Sequence, residues 1–255
     1  MPAGYDGTID VPVVYMFHGT SGDGDRHYRI SGWPEKAEKE GFIAVFPTSL
    51  RYCIEEDGKT KKTTKWNEGA MDRYLCDGEI PADDISYVKQ LMETINVTFS
   101  IDKSKVFVTG FSNGGSFANR IAVELSDRVA AGGFYSEGKP NAHIPLYEIL
   151  GSEDAGVIEK VGGAIPHKPT EIMDGFLGTQ IRVILDRFDL SESYTTETTK
   201  KSVTLTFENS SIGKDNILKF SILKGVPHKY PNGNEESNGL VAADNFWDFF
   251  MEVTK

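Results

Sequence analysis

The chain has 255 residues, of which 39% are hydrophobic and 25% charged, and its formal net charge is −11 at pH 7. This composition predicts a globular protein with a substantial core, and it has no continuous apolar run of the roughly 18 to 20 residues that cross a membrane. The acidic balance argues against nucleic acid or an anionic membrane as the partner, because both attract clustered lysine and arginine.

The first half of the chain alternates buried-strand and helix patterns. Apolar runs that end at glycine or proline predict strands at Val11–Gly19 and Phe42–Pro47. Between them, residues 20–32 are interpreted as a Gly/Asp-rich loop and residues 33–41 as a short helix. Residues 48–80 are then predicted to form a long polar loop.

The long loop contains the two cysteines of the chain, Cys53 and Cys76. Two cysteines are too few for a zinc ribbon or a disulfide-rich scaffold. They could close the polar segment between them as a disulfide if the protein is exported, or they could be two partly buried thiols.

The alternation continues beyond the loop. Apolar residues spaced three and four apart predict a helix at 81–99. Further predicted elements are a strand at 105–110, a helix at 114–127 and strands at 129–137 and 144–151. This order indicates an α/β fold with a mostly parallel central sheet and helices on both faces.

Residues 155–209 interrupt this rhythm and are predicted to form a lid-like insertion before the last strands. Within the insertion, the sequence predicts loop at 156–169, helix at 170–190 and polar loop at 191–201. The predicted final elements are strands at 202–209 and 216–225 and an amphipathic helix at 240–253. We expect one domain over residues 1–255.

The motif Gly-Phe-Ser-Asn-Gly places Ser112 where a predicted strand becomes a helix. A nucleophilic hydroxyl must stand clear of the backbone, and a sharp turn of the form G-x-S-x-G achieves this because the residues two before and two after the serine are small. The alternative is a glycine-rich turn in which Ser112 merely caps the helix. The strand before it and the helix after it favour the nucleophile.

A serine nucleophile needs a histidine base, and in this kind of fold the chain order is serine, acid, histidine. The five histidines are His18, His27, His143, His167 and His228. Only His228 follows a predicted strand and precedes the last helix, so we expect it to be the base.

The acid should leave a strand between the serine and the histidine. The segment PLYEILGSEDAG predicts a strand, a turn and then Glu153 and Asp154. A carboxylate there can accept the imidazole N–H and fix its tautomer. Asp154 is our first choice, Glu153 could replace it, and Asp189 is the third candidate.

The oxyanion hole requires two backbone N–H groups, and the amide of Asn113, the residue after the nucleophile, is one. The loop Phe17–Gly24 would supply the second from Thr20, with Ser21 as the alternative donor. His18 is expected to brace this loop rather than to act as a base. We expect no metal and no organic cofactor.

The assembled motifs resemble the polyhydroxybutyrate depolymerase and feruloyl esterase group of α/β hydrolases, to which related acetyl xylan esterases also belong. The resemblance covers most of the chain and is strongest from Asp102 to Ala131. The segments that carry it are PAGYDGTIDVPVVYMFHGTSGDG, GFIAVFPTSL, KWNEG, DDISYVKQLMETI, IDKSKVFVTGFSNGGSFANRIAVELSDRVAA, GSED and GVPHKYPNG.

This resemblance implies a triad of Ser112, Asp154 and His228. In similar enzymes a tryptophan at the position of Trp66 lines the cleft, although Trp66 could almost equally be a buried anchor of its loop. Tyr230, two residues after His228, is a second candidate wall of the substrate site, and His18 is a further candidate substrate-binding residue. The resemblance also implies a secreted or periplasmic protein, although the N-terminal sequence MPAGYDGTID lacks the features of a signal peptide and a cytoplasmic location stays open.

We therefore expect a serine carboxylesterase that acts on a small-molecule or polymeric ester as a monomer or small homo-oligomer. A feruloyl (hydroxycinnamoyl) ester is the first expected substrate. The alternatives are hydroxybutyrate polymers, acetyl xylan, other short-chain esters and aromatic polyesters. Rival interpretations are a peptidase or thioesterase with the same triad, and a non-catalytic binding module on a hydrolase fold.

Overall fold

The computed structural model describes residues 1–56, 58–132, 144–208 and 216–254. The chain divides into two compact units, Met1–Ala142 and His143–Lys255. Both units contain parallel strands with helices packed against them, and parallel pairings predominate among the sheet strands described in the two units. The predicted α/β class is therefore confirmed.

The first unit is built on four parallel strands in the order β2-β1-β5-β6. Its strands are β1 (Val11–Phe17), β2 (Ile43–Val45), β3 (Arg51–Glu56), β4 (Lys59–Thr64), β5 (Ile101–Gly110) and β6 (Ala131–Gly132). Its helices are α1 (Gly24–Ile30), α2 (Trp33–Glu40), α3 (Asp84–Thr98) and α4 (Asn113–Glu124), with a 3₁₀ turn at Met71–Arg73.

The two central strands of this unit end at the predicted functional loops. The last five residues of β1 and of β5 are buried, as expected for parallel strands covered on both faces. Helix α4 packs against β1, β5 and β6. Since β1 and β5 are parallel neighbours, their carboxyl ends at Phe17 and Gly110 lie side by side in register.

Two predicted loops of the first unit contain regular structure. Residues 20–32 include helix α1, which begins where the Asp23 side chain accepts a hydrogen bond from the Arg26 amide. Residues 48–80 contain an antiparallel hairpin of β3 and β4. Both interpretations as loop were wrong because seven- and six-residue elements of polar sequence are too short to show a clear period.

A disulfide joins Cys53 in β3 to Cys76, which lies 23 residues further along the chain and beyond the hairpin. The buried side chains of Tyr52, Ile54 and Met71 form a small hydrophobic cluster beside it. The two cysteines therefore form a disulfide and are not free thiols. The segment predicted as a long polar loop is held by this bridge and by the β3–β4 hairpin.

The second unit contains four strands in the order β7-β10-β9-β8, of which β7 and β10 pair parallel and the other pairs are antiparallel. The strands are β7 (Leu146–Glu153), β8 (Tyr194–Thr198), β9 (Ser202–Glu208) and β10 (Ile217–Pro227). The helices are α5 (Ala155–Val161), α6 (Pro169–Asp174), α7 (Phe176–Arg187) and α8 (Ala242–Val253), with a 3₁₀ turn at Glu235–Ser237.

The predicted helix at 170–190 is present as α6 and α7, whereas two predicted loops were wrong. Residues 156–169 include most of α5, and residues 191–201 include β8. Strand β8 has the sequence YTTET and four of its five residues are exposed, so its composition resembles a loop although threonine favours strands.

Parts of three predictions lie outside the described residues. They are the continuation of the predicted strand 129–137 beyond Gly132, the end of the predicted insertion at Asn209, and His143. The single domain over residues 1–255 and the lid over residues 155–209 stay predictions. Among the described residues, no helix is both long enough and apolar enough to cross a membrane.

Replacing both cysteines should destabilise the protein. Removing a bridge that closes a loop of this length releases denatured-state entropy worth roughly 3 kcal/mol, so C53S/C76S should lower the free energy of unfolding in urea by about that amount. Mild reduction of the parent should have the same effect, and the double variant should not respond to the reductant. A loss below about 1 kcal/mol would show that the bridge barely constrains the chain.

Candidate active site

Ser112 lies at the junction of β5 and α4, and its backbone has a conformation that residues other than glycine rarely adopt. Its φ is 54° and its ψ is −125°. A non-glycine residue at positive φ is strained and persists only where its surroundings hold it. Ser112 occupies the N-cap position of α4, yet its side chain makes no capping hydrogen bond. The helix-cap alternative therefore does not account for the hydroxyl.

The glycines on either side of Ser112 allow this turn to form. A Cβ atom on Gly110 would lie 2.2 Å from the Gly114 carbonyl oxygen, and a Cβ on Gly114 would lie 2.2 Å from the Phe17 carbonyl oxygen. Because these neighbours are backbone atoms, they cannot move aside as a side chain would. The requirement for small residues two before and two after the serine is thus a direct steric one.

The loop after β1 reaches the same point. A Cβ on Gly19 would lie 3.3 Å from the Cβ of Ser112 and 3.1 Å from the Phe111 carbonyl oxygen. The backbone at Gly19 therefore passes within contact distance of the serine. This is the position that a second oxyanion donor requires.

Two amides beside Ser112 could serve as oxyanion donors. The N–H groups of Thr20 and Asn113 have no hydrogen-bond partner among the residues that the structure describes. For Asn113 this follows from its place as the first residue of α4. The Ser21 amide instead donates to the Thr64 carbonyl oxygen at 2.9 Å, which disfavours Ser21 as the alternative donor.

His18 is fully buried and braces the loop that follows β1. Its Nδ1 donates to the Gly19 carbonyl oxygen at 2.8 Å, and its Nε2 accepts the Ser49 N–H at 3.0 Å. Because Nε2 accepts, the ring is neutral, and burial lowers its pKa. This position fits the expected bracing role, whereas the predicted place beside the substrate does not suit a ring without exposed surface.

Trp66 is also fully buried, as in the alternative interpretation of a buried anchor. Its indole stacks on Phe117, with 4.9 Å between ring centroids and 3° between planes, and meets Phe17 edge-on. The Asn113 side-chain oxygen accepts the backbone N–H of Trp66 at 2.7 Å, and the Asn113 side-chain nitrogen donates to the Trp66 carbonyl oxygen at 3.0 Å. The predicted wall for an aromatic acyl group does not fit this position, because the ring has no exposed surface.

In the second unit, Asp154 and His228 form a hydrogen-bonded pair. His228 Nδ1 lies 2.5 Å from Asp154 Oδ2, and the His228 side chain is half exposed. The other oxygen, Oδ1, accepts the amides of Gly156 and Val157 at the start of α5. One carboxylate therefore caps a helix and holds the imidazole.

The pKa values of this pair move in opposite directions. The hydrogen bond to Asp154 raises the pKa of His228 above the ordinary 6.5, against the opposing effect of burial. Burial alone would raise the pKa of Asp154, but its hydrogen bond with His228, the imidazolium charge and the two amides outweigh it and lower the pKa. The pair therefore favours a protonated, positively charged imidazole next to an ionised carboxylate.

The remaining candidates lie elsewhere. Glu153, the possible replacement for Asp154, is exposed, and Tyr230 is almost fully buried in the second unit. His27 is buried in α1, where burial lowers its pKa to about 4. His167 is exposed. Among the described residues, no group of three histidine, cysteine or acidic side chains could hold a metal ion.

Two threonines that no sequence motif marks fasten the loop after β1 to the hairpin. Thr64 Oγ1 donates to the Gly22 carbonyl oxygen, and Thr63 Oγ1 donates to Ser21 Oγ at 2.7 Å. These threonines lie at the end of β4, whose polar sequence resembles a loop. Only recognition of that strand could have drawn attention to them.

Comparisons with known proteins support the resemblance in the motifs. The chain is 24% identical to Feruloyl esterase B of Piromyces equi over 191 residues, which are 75% of this chain and 30% of that protein. It is 28% identical to the Probable acetylxylan esterase A of Aspergillus clavatus over 124 residues, 49% of this chain and 36% of that protein. The chain thus spans about a third of the length of these curated relatives. No family model matches it.

A solved structure shows the same fold. The acetyl xylan esterase from Aspergillus awamori superposes with a TM-score of 0.63 over 98% of this chain and 91% of that one, at 16% sequence identity. Identity at that level is informative about the fold alone. The chain therefore has the α/β hydrolase fold and is related in sequence to the feruloyl and acetylxylan esterases, as its motifs predicted.

Proposed function

We propose that the chain is a serine ester hydrolase in which Ser112, His228 and Asp154 act as one catalytic triad. The observation that carries the proposal is the strained turn at Ser112, whose hydroxyl does not cap its helix and which lies beside two amides without described partners. The hydrogen-bonded pair of Asp154 and His228 supports the same conclusion. The names of the sequence relatives agree with it.

In the proposed reaction, Ser112 Oγ attacks the ester carbonyl carbon while its proton passes to His228 Nε2. The negative charge on the carbonyl oxygen is held by the amides of Thr20 and Asn113. The carbon–oxygen bond to the alcohol then breaks, and the imidazolium gives its proton to the leaving alkoxide. Water, activated by the same imidazole, hydrolyses the acyl-enzyme and regenerates the serine.

A feruloyl (hydroxycinnamoyl) ester is the first proposed substrate, in agreement with the name of the Piromyces equi relative. An acetyl ester is the second candidate, and the burial of Trp66 favours it. With that indole in the core, the first unit loses its predicted aromatic wall, and a small acyl group needs no such wall.

We also propose that the protein works in an oxidising compartment, secreted or periplasmic. The Cys53–Cys76 bridge supports this location, because disulfides persist there and are rare in the cytosol.

Ser112→Ala should lower kcat on p-nitrophenyl acetate by at least about 10⁴-fold, because it removes the attacking atom and leaves the oxyanion donors in place. Ser116→Ala is the matched control, since it makes the same change one turn further along α4. The kcat of each variant would be measured from the release of p-nitrophenol at a known concentration of folded protein. Equal activity of the two variants would exclude Ser112 as the nucleophile, and an inactive parent would favour the binding-module interpretation.

The pH profile should report the base. Since only the neutral imidazole accepts a proton, kcat/KM should rise with pH through a pKa above 6.5. Asp154→Asn should lower kcat by about 10⁴-fold and move this acid limb to lower pH, because the interaction that raises the pKa of His228 is lost.

Glu153→Gln is the control for this change, because it removes the neighbouring carboxylate and should leave the acid limb in place. An NMR titration of the His228 imidazole would follow the same pKa without relying on activity. An unmoved His228 pKa in Asp154→Asn would contradict the assignment of Asp154.

The acyl group can be identified by comparing methyl ferulate with methyl acetate, which has the same leaving group, and with a 3-hydroxybutyrate oligomer. If the acyl pocket is small, kcat/KM for the acetate should exceed that for the ferulate by at least about 10-fold. A preference for the ferulate would support the first candidate, and a preference for the oligomer would support a depolymerase. Ser112→Ala should abolish each of these activities.

A further inference from the structure

A buried lysine lies behind the proposed oxyanion hole. Lys65 follows β4 directly, and its side chain is almost completely shielded from solvent. Its Nζ lies 3.4 Å from Thr20 Oγ1, 3.4 Å from Glu56 Oε1 and 4.4 Å above the centre of the Tyr74 ring. Three partners thus surround an ammonium group that would otherwise be costly to bury.

Glu56 forms ion pairs with two lysines, the buried Lys65 and the exposed Lys61. Lys61 bonds Glu56 Oε2 at 3.0 Å, and its side chain is 44% exposed. Burial alone would raise the pKa of Glu56, but the hydrogen bond from Lys61 and the charge of Lys65 lower it. The carboxylate therefore remains ionised at neutral pH and fixes the Lys65 ammonium next to Thr20.

The contact of Lys65 with Thr20 belongs to a wider attachment of the loop. Ser21 has a φ of 64°, so the loop is strained at the residue after the proposed donor. The amide of Ser21 and the carbonyl oxygen of Gly22 are both bonded by Thr64. Residues 63–65 thus hold residues 20–22 at several points, and Lys65 is the only charged group among them.

We propose that Lys65 is a positioning residue for ester hydrolysis, which holds the Thr20 amide in the oxyanion hole through the Thr20 hydroxyl and places a positive charge behind it. This inference rests on the proposed function of the site. A fixed donor needs no reorganisation when the oxyanion forms, and a nearby cation favours the negative charge that develops there. Replacing Lys65 should therefore lower kcat and change KM little.

The test compares Lys65→Met, which keeps the length of the side chain and removes the charge, with Lys62→Met, which makes the same change at an exposed position of β4. Lys65→Met should lower kcat per mole of folded enzyme by about 10-fold, less than the loss of a whole oxyanion donor, with KM within about twofold. Lys62→Met should match the parent. Thermal unfolding would confirm that both variants fold.

A double-mutant cycle tests whether Lys65 acts through Thr20. Thr20→Val removes the hydroxyl and keeps the amide, so the double variant K65M/T20V should be no slower than the slower single variant, within about twofold. Multiplying losses would overturn the proposed route through Thr20. An unchanged kcat in Lys65→Met would overturn the positioning role.

Hydrogen exchange separates this inference from the proposed function. In Lys65→Met, the hydrogen-bonded amides of Ser21 and Gly22 should exchange at least about fivefold faster than in the parent and in Lys62→Met. If the parent hydrolyses no ester, the proposed function fails, while the exchange result still decides whether Lys65 fastens the loop. Unchanged exchange in an active parent would refute the anchoring and leave the esterase assignment standing.

Discussion

The close approach of the first turn of α4 to the ends of β1 and β5 is the constraint on which the proposed site depends. Backbone atoms of Gly110, Gly114 and Phe17 lie so near one another that no Cβ fits at either glycine. The chain can therefore enter α4 only through a strained residue, and Ser112 is that residue. The same closeness brings the Gly19 backbone against the serine, so the proposed nucleophile and the proposed oxyanion loop are placed by a single packing arrangement.

The hairpin of β3 and β4 extends that constraint outward. Thr63, Thr64 and Lys65 bond the loop that contains the proposed donor Thr20, and the Cys53–Cys76 bridge ties β3 to the segment that follows the hairpin. A loop with a strained Ser21 needs such support, because strain persists only where surrounding contacts exceed its cost. The long segment of residues 48–80 thus has a structural role, because it holds residues 20–22 beside Ser112.

The sequence predicted the parts of the fold whose patterns are strong. The apolar runs of β1 and β5 are long enough to identify buried strands. The glycines of Gly-Phe-Ser-Asn-Gly indicate a sharp turn in which only small residues fit on either side of the serine. Helix α1 and strand β8 were missed because short polar elements are stabilised by caps and neighbours, not by period. The burial of Trp66 depends on Phe17 and Phe117, distant residues whose contact no local pattern reveals.

The choice between Asp154 and Glu153 shows how a local rule can decide a distant contact. Helix α5 begins at Ala155, and the residue before it must cap two amides, a task for which aspartate is well suited and glutamate is not. Capping by Oδ1 fixes the carboxylate so that Oδ2 is directed to His228. The short side chain that starts the helix is thus the one that can orient the imidazole. Recognising the start of α5 at Ala155 would have favoured Asp154 over Glu153 from the sequence alone.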